Sequence, residues 1–337
     1  MCALSPDNSR QRLRRAVVWL LLLSLLATAA ASAQPLASSA KQGSRQTRRA
    51  NALAGLRLYV NPTSDACKQA SAWATSNPAG AAVMAKLCAQ PGASWLGGWF
   101  TNISKATSDR VTAAAAAGAI ATLVVYNIYE RGWNLAGGAA SPADYETWID
   151  GVAAGLAGRS AIIVLEPDAL AFLGRLSASD QQIRLQLLSY AVAQLRAAGG
   201  IVYIDAGHSG WNPAATMVAR LQAADVAHAQ GFSLNVANHQ WTANELAYGD
   251  AIASGLGGGA HFLVDTGRNG AGDRWGSCNE PNWALGAAPR IAPREPFLDA
   301  YLWLKEPGIS DGSCNGGAAA GSWWADGALQ LAHNAGW

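Results

Sequence analysis

Short apolar runs of strand length alternate along most of the chain with longer stretches whose apolar residues recur at helical spacing. From Leu56 onward this alternation predicts seven strands: LRLYVN, ATLVVYN, AIIVLEPD, IVYIDAG, FSLNVAN, HFLVDTG and AYLWLKEP. The stretch QQIRLQLLSYAVAQLRAAGG, which ends in a glycine pair, is typical of a helix that closes in a turn. The pattern therefore predicts strands and helices in alternation.

The spacing of the strand ends predicts the fold class. The last polar residues of six strands are 41, 37, 30, 30 and 40 residues apart: Asn127, Asp168, Asp205, Asn235, Asp265 and Lys305. Each interval has the length of one strand plus one crossover helix, as in a parallel sheet. Continuous apolar strands indicate a sheet that is covered on both faces. We predict an α/β fold, a parallel (β/α) barrel with fewer than eight regular strands; a doubly wound open sheet also fits the pattern.

The first 33 residues resemble a secretory signal peptide. Basic residues through Arg15 precede an apolar run from Ala16 to Ala30, and Ala31-Ser32-Ala33 offers small residues for cleavage. The apolar run is short for a membrane anchor. The pair Arg14-Arg15 does not separate twin-arginine export from the general route. We therefore expect a mature chain that is secreted or periplasmic and has no membrane segment.

The rest of the chain is predicted to be a linker followed by one domain. Residues 34–52 are rich in Ser, Ala, Gln and Arg, which predicts a disordered linker, and residues 53–337 have the length of a single domain. From residue 50 onward, 16 basic residues face 21 acidic ones. This mildly acidic body argues against nucleic acid as a partner. A monomer is expected.

Four cysteines remain after removal of the leader: Cys67, Cys88, Cys278 and Cys314. An even number in an exported chain favours disulfides, and three connectivities are possible. Cys67 and Cys88 lie in one region of the sequence, and Cys278 and Cys314 lie in another. We therefore favour a disulfide within each pair. The spacings are not those of a zinc cluster, and we expect neither a metal nor another cofactor.

Carboxylates follow several of the predicted strands. Asp168, Asp205 and Asp265 end strands, and Asp311 lies six residues beyond Lys305. Loops at the carboxyl ends of parallel strands build the active sites of such folds. Converging acids suit general acid and base catalysis, a metal site or a network that raises one pKa. The histidines lack the spacing of common metal motifs, so the metal site is the weakest of these.

Tryptophans are abundant near the same strand ends. Of the 14 tryptophans, many flank these loops: Trp95, Trp99, Trp133, Trp211, Trp241, Trp275, Trp283 and Trp303. An indole ring offers a flat apolar face to a sugar ring, and carboxylates and amides bind its hydroxyl groups. The combination predicts a polysaccharide ligand, although core packing accounts for roughly half of such tryptophans, with Trp73 and Trp148 the best candidates.

Two other motifs carry less weight. Gly207-His208-Ser209-Gly210-Trp211 nearly matches the GxSxG elbow of serine hydrolases, but Trp211 occupies the last glycine position. A serine esterase acting through Ser209 is therefore a minor alternative. GLGGGA at Gly255–Ala260 resembles a dinucleotide fingerprint but precedes its strand instead of following it.

Longer motifs together resemble glycoside hydrolase family 6. They are VVYN with Arg131, LEPDAL, YIDAGHSGW, DTGRNG, and LWLKEPG followed by Asp311-Gly312. These motifs run in order from about Leu58 to the C-terminus. The resemblance implies an inverting cellulase, either an endoglucanase or a cellobiohydrolase, with one catalytic domain that is a distorted (β/α) barrel.

The resemblance also implies roles for individual residues. Asp168 matches the general acid, Asp311 the proposed general base, Asp205 an acid of the cleft, and Tyr126 a tyrosine beside the distorted sugar. An inverting enzyme pairs such an acid with a carboxylate that activates water. Substrate contacts are expected from a further set: Trp95, Trp99, Trp211, Trp303, His208, Asn235, Asn238 and Lys305. Cys278 with Cys314 matches a family disulfide, whereas Cys67 with Cys88 is peculiar to this chain.

Some positions depart from the family pattern. Gly132 stands where the family has an Asp that supports the acid, and we hypothesise that Glu130 compensates. His239 replaces a tyrosine. Only the short stretch Ser313–Gly321 occupies the place where cellobiohydrolases carry a long roof, which predicts an open cleft and cleavage of internal β-1,4 bonds in a β-1,4-glucan. The alternative, motivated by Gly132, is a glycan-binding protein with weak or no activity.

Overall fold

The computed structural model describes residues 50–132, 137–272, 278–292 and 295–337. The predicted signal peptide, residues 34–49 of the predicted linker, Trp133 and Trp275 lie outside the described residues. Asn51, assigned above to the linker, donates from Nδ2 to the Asp299 carbonyl at 3.0 Å, so ordered structure reaches back to this residue. Within the described ranges, no helix is long and apolar enough to cross a membrane.

A single curled sheet forms the centre of the described part of the chain. Its strands are β1 (Ser94–Leu96), β2 (Ala121–Val125), β3 (Ala161–Leu165), β4 (Gly200–Asp205), β5 (Gly231–Leu234), β6 (His261–Asp265), β7 (Arg290–Ile291) and β8 (Leu298–Leu302). They lie in the order β1-β2-β3-β4-β5-β6-β8-β7. All neighbours are parallel except β7, which pairs antiparallel with β8. The predicted α/β barrel with fewer than eight regular strands is confirmed. Seven strands are parallel, and β7, at the end of the order, has only two residues and is antiparallel to its neighbour.

Helices connect and cover these strands. They are α1 (Asp65–Trp73), α2 (Pro78–Cys88), α3 (Ile103–Ala116), α4 (Pro142–Leu156), α5 (Ala178–Ala197), α6 (Ala214–Ala223), α7 (Thr242–Gly255) and α8 (Ala325–Asn334). Several begin at a side chain that accepts a free amide of the first turn; Ser177, for example, caps α5 by accepting the N–H of Asp180 at 3.2 Å. Such caps fix the points where the loops after β1, β2 and β3 give way to α3, α4 and α5.

Alternate side chains of the strands enter two separate cores. Leu123, Ile163 and Ile204 belong to the outer core between sheet and helices. Val124 and Ile162 point to the other face, into a core enclosed by the curled sheet. Because both faces of the strands are mostly apolar and buried, a polar side chain inside the sheet needs a hydrogen-bond partner, as Tyr203 and Asp299 provide for each other.

The first and last parallel strands approach each other through side chains. The indole N–H of Trp95 on β1 donates to the Leu304 carbonyl, just beyond β8, at 2.8 Å. This hydrogen bond joins the two edges of the curled sheet near its carboxyl ends. The loops after β1 and β8 therefore belong to the same mouth as those between them.

Three local predictions differ from the structure. The predicted strand LRLYVN is reduced to an isolated bridge, in which Leu58 pairs with Ile120. β1 escaped prediction because its three residues are too few to show periodicity. β8 begins at Leu298, two residues before the predicted run AYLWLKEP.

Both favoured disulfides are present in the structure. Cys67 on α1 is bonded to Cys88 on α2, with 4.7 Å between their Cα atoms. Cys278 is bonded to Cys314, with 6.0 Å between their Cα atoms, and this bridge lies beside the loop of Asp311.

We predict that the double substitution Cys67→Ser/Cys88→Ser lowers the free energy of unfolding by about 3 kcal/mol, because the bridge closes a loop of roughly 20 residues in the unfolded chain. Urea denaturation measures the loss. As the control, wild type and variant are compared again in reductant, where the difference should nearly vanish. A loss below about 1 kcal/mol in oxidising buffer would contradict the prediction.

Candidate active site

The carboxyl ends of the parallel strands bring the candidate side chains to one edge. Asp205 and Asp265 are the last residues of β4 and β6, and Asp168, Asn235 and Lys305 follow β3, β5 and β8. In a parallel barrel this edge carries the active site. The structure therefore assembles the polar strand ends of the sequence at one mouth.

Asp168 lies in a short, unusual turn after β3. Its φ is 74°, and Glu166, two residues earlier, has a φ of 52°. Such left-handed conformations are costly for residues other than glycine and concentrate at functional sites. The side chain remains partly exposed. Burial nevertheless raises the pKa of Asp168 to about 6, so the carboxyl group keeps its proton in mildly acidic solution.

Asp205 supports this turn from the neighbouring strand. Its Oδ2 accepts the main-chain N–H of Asp168 at 2.9 Å and that of Gly207 at 3.0 Å. Its Oδ1 accepts the hydroxyl of Ser233 at 3.2 Å. Burial and the nearby charge of Asp168 raise the pKa of Asp205, and the hydrogen bonds oppose that shift. Asp205 is 1% exposed, so it acts on the site through the main chain of Asp168.

Glu166 supports the loop after β2 by accepting main-chain N–H groups, as Asp205 does for the loop after β3. Glu166 was not among the expected site residues. Its carboxylate accepts the N–H groups of Asn127 and Ile128, each at 2.9 Å. Burial raises the pKa of Glu166 to about 7, against the effect of these hydrogen bonds. Its sequence signals were its place directly after an apolar strand and within the LEPDAL motif. Because Asn127 follows Tyr126, Glu166 fixes the loop that carries this tyrosine.

The Tyr126 ring lies between an aromatic ring and a cation. Trp95 meets it edge-on with 5.2 Å between centroids, and the Arg131 guanidinium lies 4.2 Å from its centroid. Burial, followed by the negative charge of Asp168, raises the pKa of Tyr126 to about 12. The phenol therefore stays protonated beside the candidate acid.

Asp311 has the opposite electrostatic environment. Its Oδ2 lies 2.6 Å from Nη1 of Arg268, and its Oδ1 lies 3.2 Å from Nζ of Lys305. Burial by itself would raise the pKa of Asp311, but the two cations outweigh it and hold this pKa below its usual range. At any pH between the pKa values of the two groups, Asp311 is therefore ionised while Asp168 is protonated.

Asp265 anchors the loops on the Asp311 side of the mouth. Its oxygens accept four main-chain N–H groups at 2.9 to 3.2 Å: those of Ala237, Gly267, Leu304 and Lys305. These donors come from the loops after β5, β6 and β8. Asp265 therefore holds Lys305 in place to meet Asp311.

Two expected substrate contacts, Trp99 and Trp211, are exposed at the mouth, whereas His208 is 6% exposed and packs against Trp211. Trp99 is 54% exposed and Trp211 is 38% exposed, and the His208 ring lies 4.0 Å from that of Trp211. Burial, with a smaller effect from His239, lowers the pKa of His208 to about 4, so the imidazole is neutral. Its Nδ1 accepts the Gly210 N–H at 3.1 Å, which leaves the proton on Nε2. Asn238 is also partly exposed.

Two other expected substrate contacts are buried between loops in the structure. Trp303 is 3% exposed, and its indole N–H donates to the Ala287 carbonyl at 3.0 Å. Asn235 is fully buried; its side chain donates to the Asp265 carbonyl and accepts the Gln240 N–H. Position at a strand end does not distinguish a side chain that faces the cleft from one that packs between loops. Trp241, at 48% exposure, is an additional open indole after β5.

Comparisons with known sequences agree with this geometry. The profile of glycosyl hydrolases family 6 matches residues 53–335. Endoglucanase A of Cellulomonas fimi is 42% identical over 283 residues, which cover 83% of this chain and 62% of that protein. Endoglucanase 1 of Streptomyces halstedii is 39% identical over 275 residues, covering 78% of this chain and 84% of that protein.

Solved structures show the same relationship. The endoglucanase Cel6 from Mycobacterium tuberculosis, in complex with methyl-cellobiosyl-4-deoxy-4-thio-β-D-cellobioside, is 42% identical with a TM-score of 0.80, covering 86% of this chain and all of that one. Endoglucanase CEL6B from Humicola insolens, at 24% identity and a TM-score of 0.74, shares the fold over 85% of this chain and 98% of its own. The resemblance inferred from the sequence motifs is confirmed, and the chain belongs to glycosyl hydrolases family 6.

Proposed function

We propose that this chain is a secreted, inverting endo-β-1,4-glucanase, with Asp168 as general acid and Asp311 as general base. The observation that carries the proposal is the difference between the pKa values of the two carboxyl groups. Burial raises the pKa of Asp168 to about 6, whereas Arg268 and Lys305 hold the pKa of Asp311 low. Carboxyl pairs whose environments differ in this way are typical of acid and base catalysis. The endoglucanase relatives support the substrate class.

Each carboxyl group then has a distinct part in hydrolysis. Asp168 donates its proton to the oxygen of the glycosidic bond as that bond breaks. Asp311 accepts a proton from the water that attacks the anomeric carbon on the opposite face, which inverts its configuration. After the reaction Asp168 has lost its proton and Asp311 has gained one. Proton exchange with solvent returns both groups to their starting states. No metal or other cofactor is required in this scheme.

Neighbouring groups bind and orient the sugars. Tyr126, protonated because its pKa is about 12, donates a hydrogen bond beside the acid, and neutral His208 donates from Nε2. Trp211 and Trp99 offer open indole faces to sugar rings. Lys305 keeps Asp311 ionised.

The chain has Gly132 where the family has an aspartate that supports the acid. The burial of Asp168 shows how its pKa is raised without that aspartate. The raised pKa of Asp168 has burial as its cause, so the acid does not depend on a neighbouring negative charge. The hypothesis that Glu130 compensates finds no support in this geometry. The negative charge of Glu130 instead raises the pKa of the Tyr129 phenol. A working acid favours catalysis over the alternative of glycan binding alone.

The loop after Asp311 supports cleavage within the chain of the polymer. The stretch Ser313–Gly321 folds back on Ser310, whose hydroxyl donates to the Ala318 carbonyl at 2.8 Å and whose carbonyl accepts the Gly321 N–H at 2.9 Å. A compact turn of this kind does not extend far over the mouth. An open cleft admits a long β-1,4-glucan at any point along its length.

We predict that the enzyme rapidly lowers the viscosity of soluble carboxymethylcellulose relative to the reducing ends it releases, because it cleaves internal bonds. Asp168→Asn, nearly isosteric but unable to donate this proton, serves as the blank, and its kcat should fall at least 100-fold. Proton NMR of fresh digests should show the α-anomer first. Release of almost only cellobiose with little loss of viscosity would contradict endo cleavage. Binding of cello-oligosaccharides by folded wild type without turnover would favour the glycan-binding alternative.

We also predict that kcat/KM falls about tenfold per pH unit above pH 6, because catalysis needs protonated Asp168, whose pKa is about 6. Activity persists on the acid side until Asp311 takes up a proton, below the usual carboxyl value of 3.8. Initial rates from pH 3 to pH 9 measure both limbs. Glu130→Gln is the matched control and should leave the upper limb in place. A shift of that limb by about one pH unit in Glu130→Gln would restore the compensation hypothesis.

A further inference from the structure

We propose that Arg184 is a positioning residue, which locks the loop of the general acid to the loop of Tyr126. The inference rests on the proposed function, because it gives Asp168 and Tyr126 their roles. Arg184 lies on α5 and touches neither side chain through the contacts described below. Its guanidinium instead holds the main chain of the two loops that carry them.

The contacts of Arg184 reach both loops at once. Arg184 is 3% exposed. Its Nη1 donates to the Ala169 carbonyl at 3.2 Å, directly after Asp168. Its Nη2 donates to the carbonyls of Tyr129 and Glu130 at 3.3 and 2.6 Å, in the loop after β2. One planar group therefore connects segments that lie about 40 residues apart in the sequence.

Both loops need such support because of their main-chain conformation. Asp168 has a φ of 74°, and Glu130 has a φ of 56°. Such conformations persist only where surrounding contacts enforce them. The carbonyls of these turns lie beyond the strands, so they lack sheet partners, and an unpaired buried carbonyl is costly. The buried guanidinium supplies the missing donors.

A second arginine extends the support along the acid loop. Nη1 of Arg220, on α6, donates to the carbonyls of Leu170 and Ala171 at 2.7 and 3.1 Å. Together, Arg184 and Arg220 hold the three consecutive carbonyls after Asp168. Arg220 also contacts Oδ1 of Asn212, next to Trp211, at 3.2 Å. Of the two arginines, Arg184 also reaches the far part of the Tyr126 loop, at Tyr129 and Glu130, whereas Glu166 meets the start of that loop at Asn127 and Ile128.

The chemistry of guanidinium explains why arginine suits this place. Its rigid fork presents several N–H donors in one plane, whereas a lysine ammonium acts as a compact point charge. Without the fork, the two loops would keep the contact of Glu166 with Asn127 and Ile128 but lose the connection at Tyr129 and Glu130. Asp168 would then shift relative to Tyr126, and water would enter the place of the guanidinium. A displacement of about 1 Å is enough to lower a rate roughly 100-fold. We therefore expect kcat to depend on Arg184 more strongly than KM does.

The test compares Arg184→Ala and Arg184→Lys with Arg159→Ala. Arg159 is the matched control because it also binds main-chain carbonyls, those of Gly155 and Leu156, but just before β3, at the opposite edge of the sheet. Kinetics on carboxymethylcellulose give kcat, KM and the pH profile per folded enzyme. Hydrogen exchange of residues 126–132 and 166–171 reports loop order without any turnover. Methylguanidine at millimolar concentration is added to Arg184→Ala as a chemical substitute for the missing group.

The proposal predicts a fall of about 10- to 100-fold in kcat for Arg184→Ala, with KM within about threefold of wild type. The upper pH limb should move to lower pH as Asp168 becomes hydrated. Both loops should exchange faster, methylguanidine should restore part of kcat, and Arg184→Lys should lie between wild type and Arg184→Ala. Arg159→Ala should keep its kcat and pH profile even if its melting temperature falls.

Two results would overturn the role of Arg184: a kcat within about twofold of wild type in both Arg184 variants, or unchanged exchange in both loops. If Arg184→Ala does not fold, Arg184→Lys decides the question, because unchanged kcat and exchange in that variant contradict the proposal. Failure of the proposed function is distinct from these results. If the proposed function is wrong, the wild-type enzyme shows no turnover. Hydrogen exchange in Arg184→Ala would still show whether Arg184 orders the two loops.

Discussion

Buried carboxylates that accept main-chain N–H groups hold the mouth of this barrel together. Glu166, Asp205 and Asp265 are each 0 or 1% exposed, and each accepts amides from its own or neighbouring loops. A buried carboxyl group, charged or neutral, is tolerated only when hydrogen bonds replace its hydration. The loops are therefore fixed where these amides meet the carboxylates. The positions of Asp168, Tyr126 and Lys305 all depend on this arrangement.

The same scaffold gives two carboxyl groups opposite properties within one mouth. Asp168 is buried enough for its pKa to rise to about 6, and the Asp205 carboxylate accepts its main-chain N–H. Asp311 meets Arg268 and Lys305 and stays ionised. Asp168 is buried and its pKa is raised, whereas Asp311 is buried beside two cations and its pKa is lowered; this difference supports the proposed roles of acid and base. The burial of Asp168 also supports its proposed role as the acid in a chain that has Gly132 in place of the family aspartate.

The sequence predicted the parts of this structure that depend on local pattern. Strand periodicity located six of the seven parallel strands, and polar strand ends located Asp168 and Asp205. It could not show which strand-end side chains face the cleft: Trp303 and Asn235, which the resemblance assigned to the substrate, are buried between loops. Contacts between loops distant in the sequence, such as those of Glu166 and Arg184, have no periodic signal. They emerge only when the sheet brings the loops together.

The most direct test of this account measures the two carboxyl groups themselves. Carbon-13 NMR can follow the aspartate carboxyl signals from pH 2 to pH 8 in the wild-type chain, with Asp168→Asn and Asp311→Asn providing the assignments. The account predicts a midpoint near 6 for Asp168 and one below 3.8 for Asp311. A midpoint near 3.8 for Asp168, or one above that of Asp168 for Asp311, would contradict the division into acid and base.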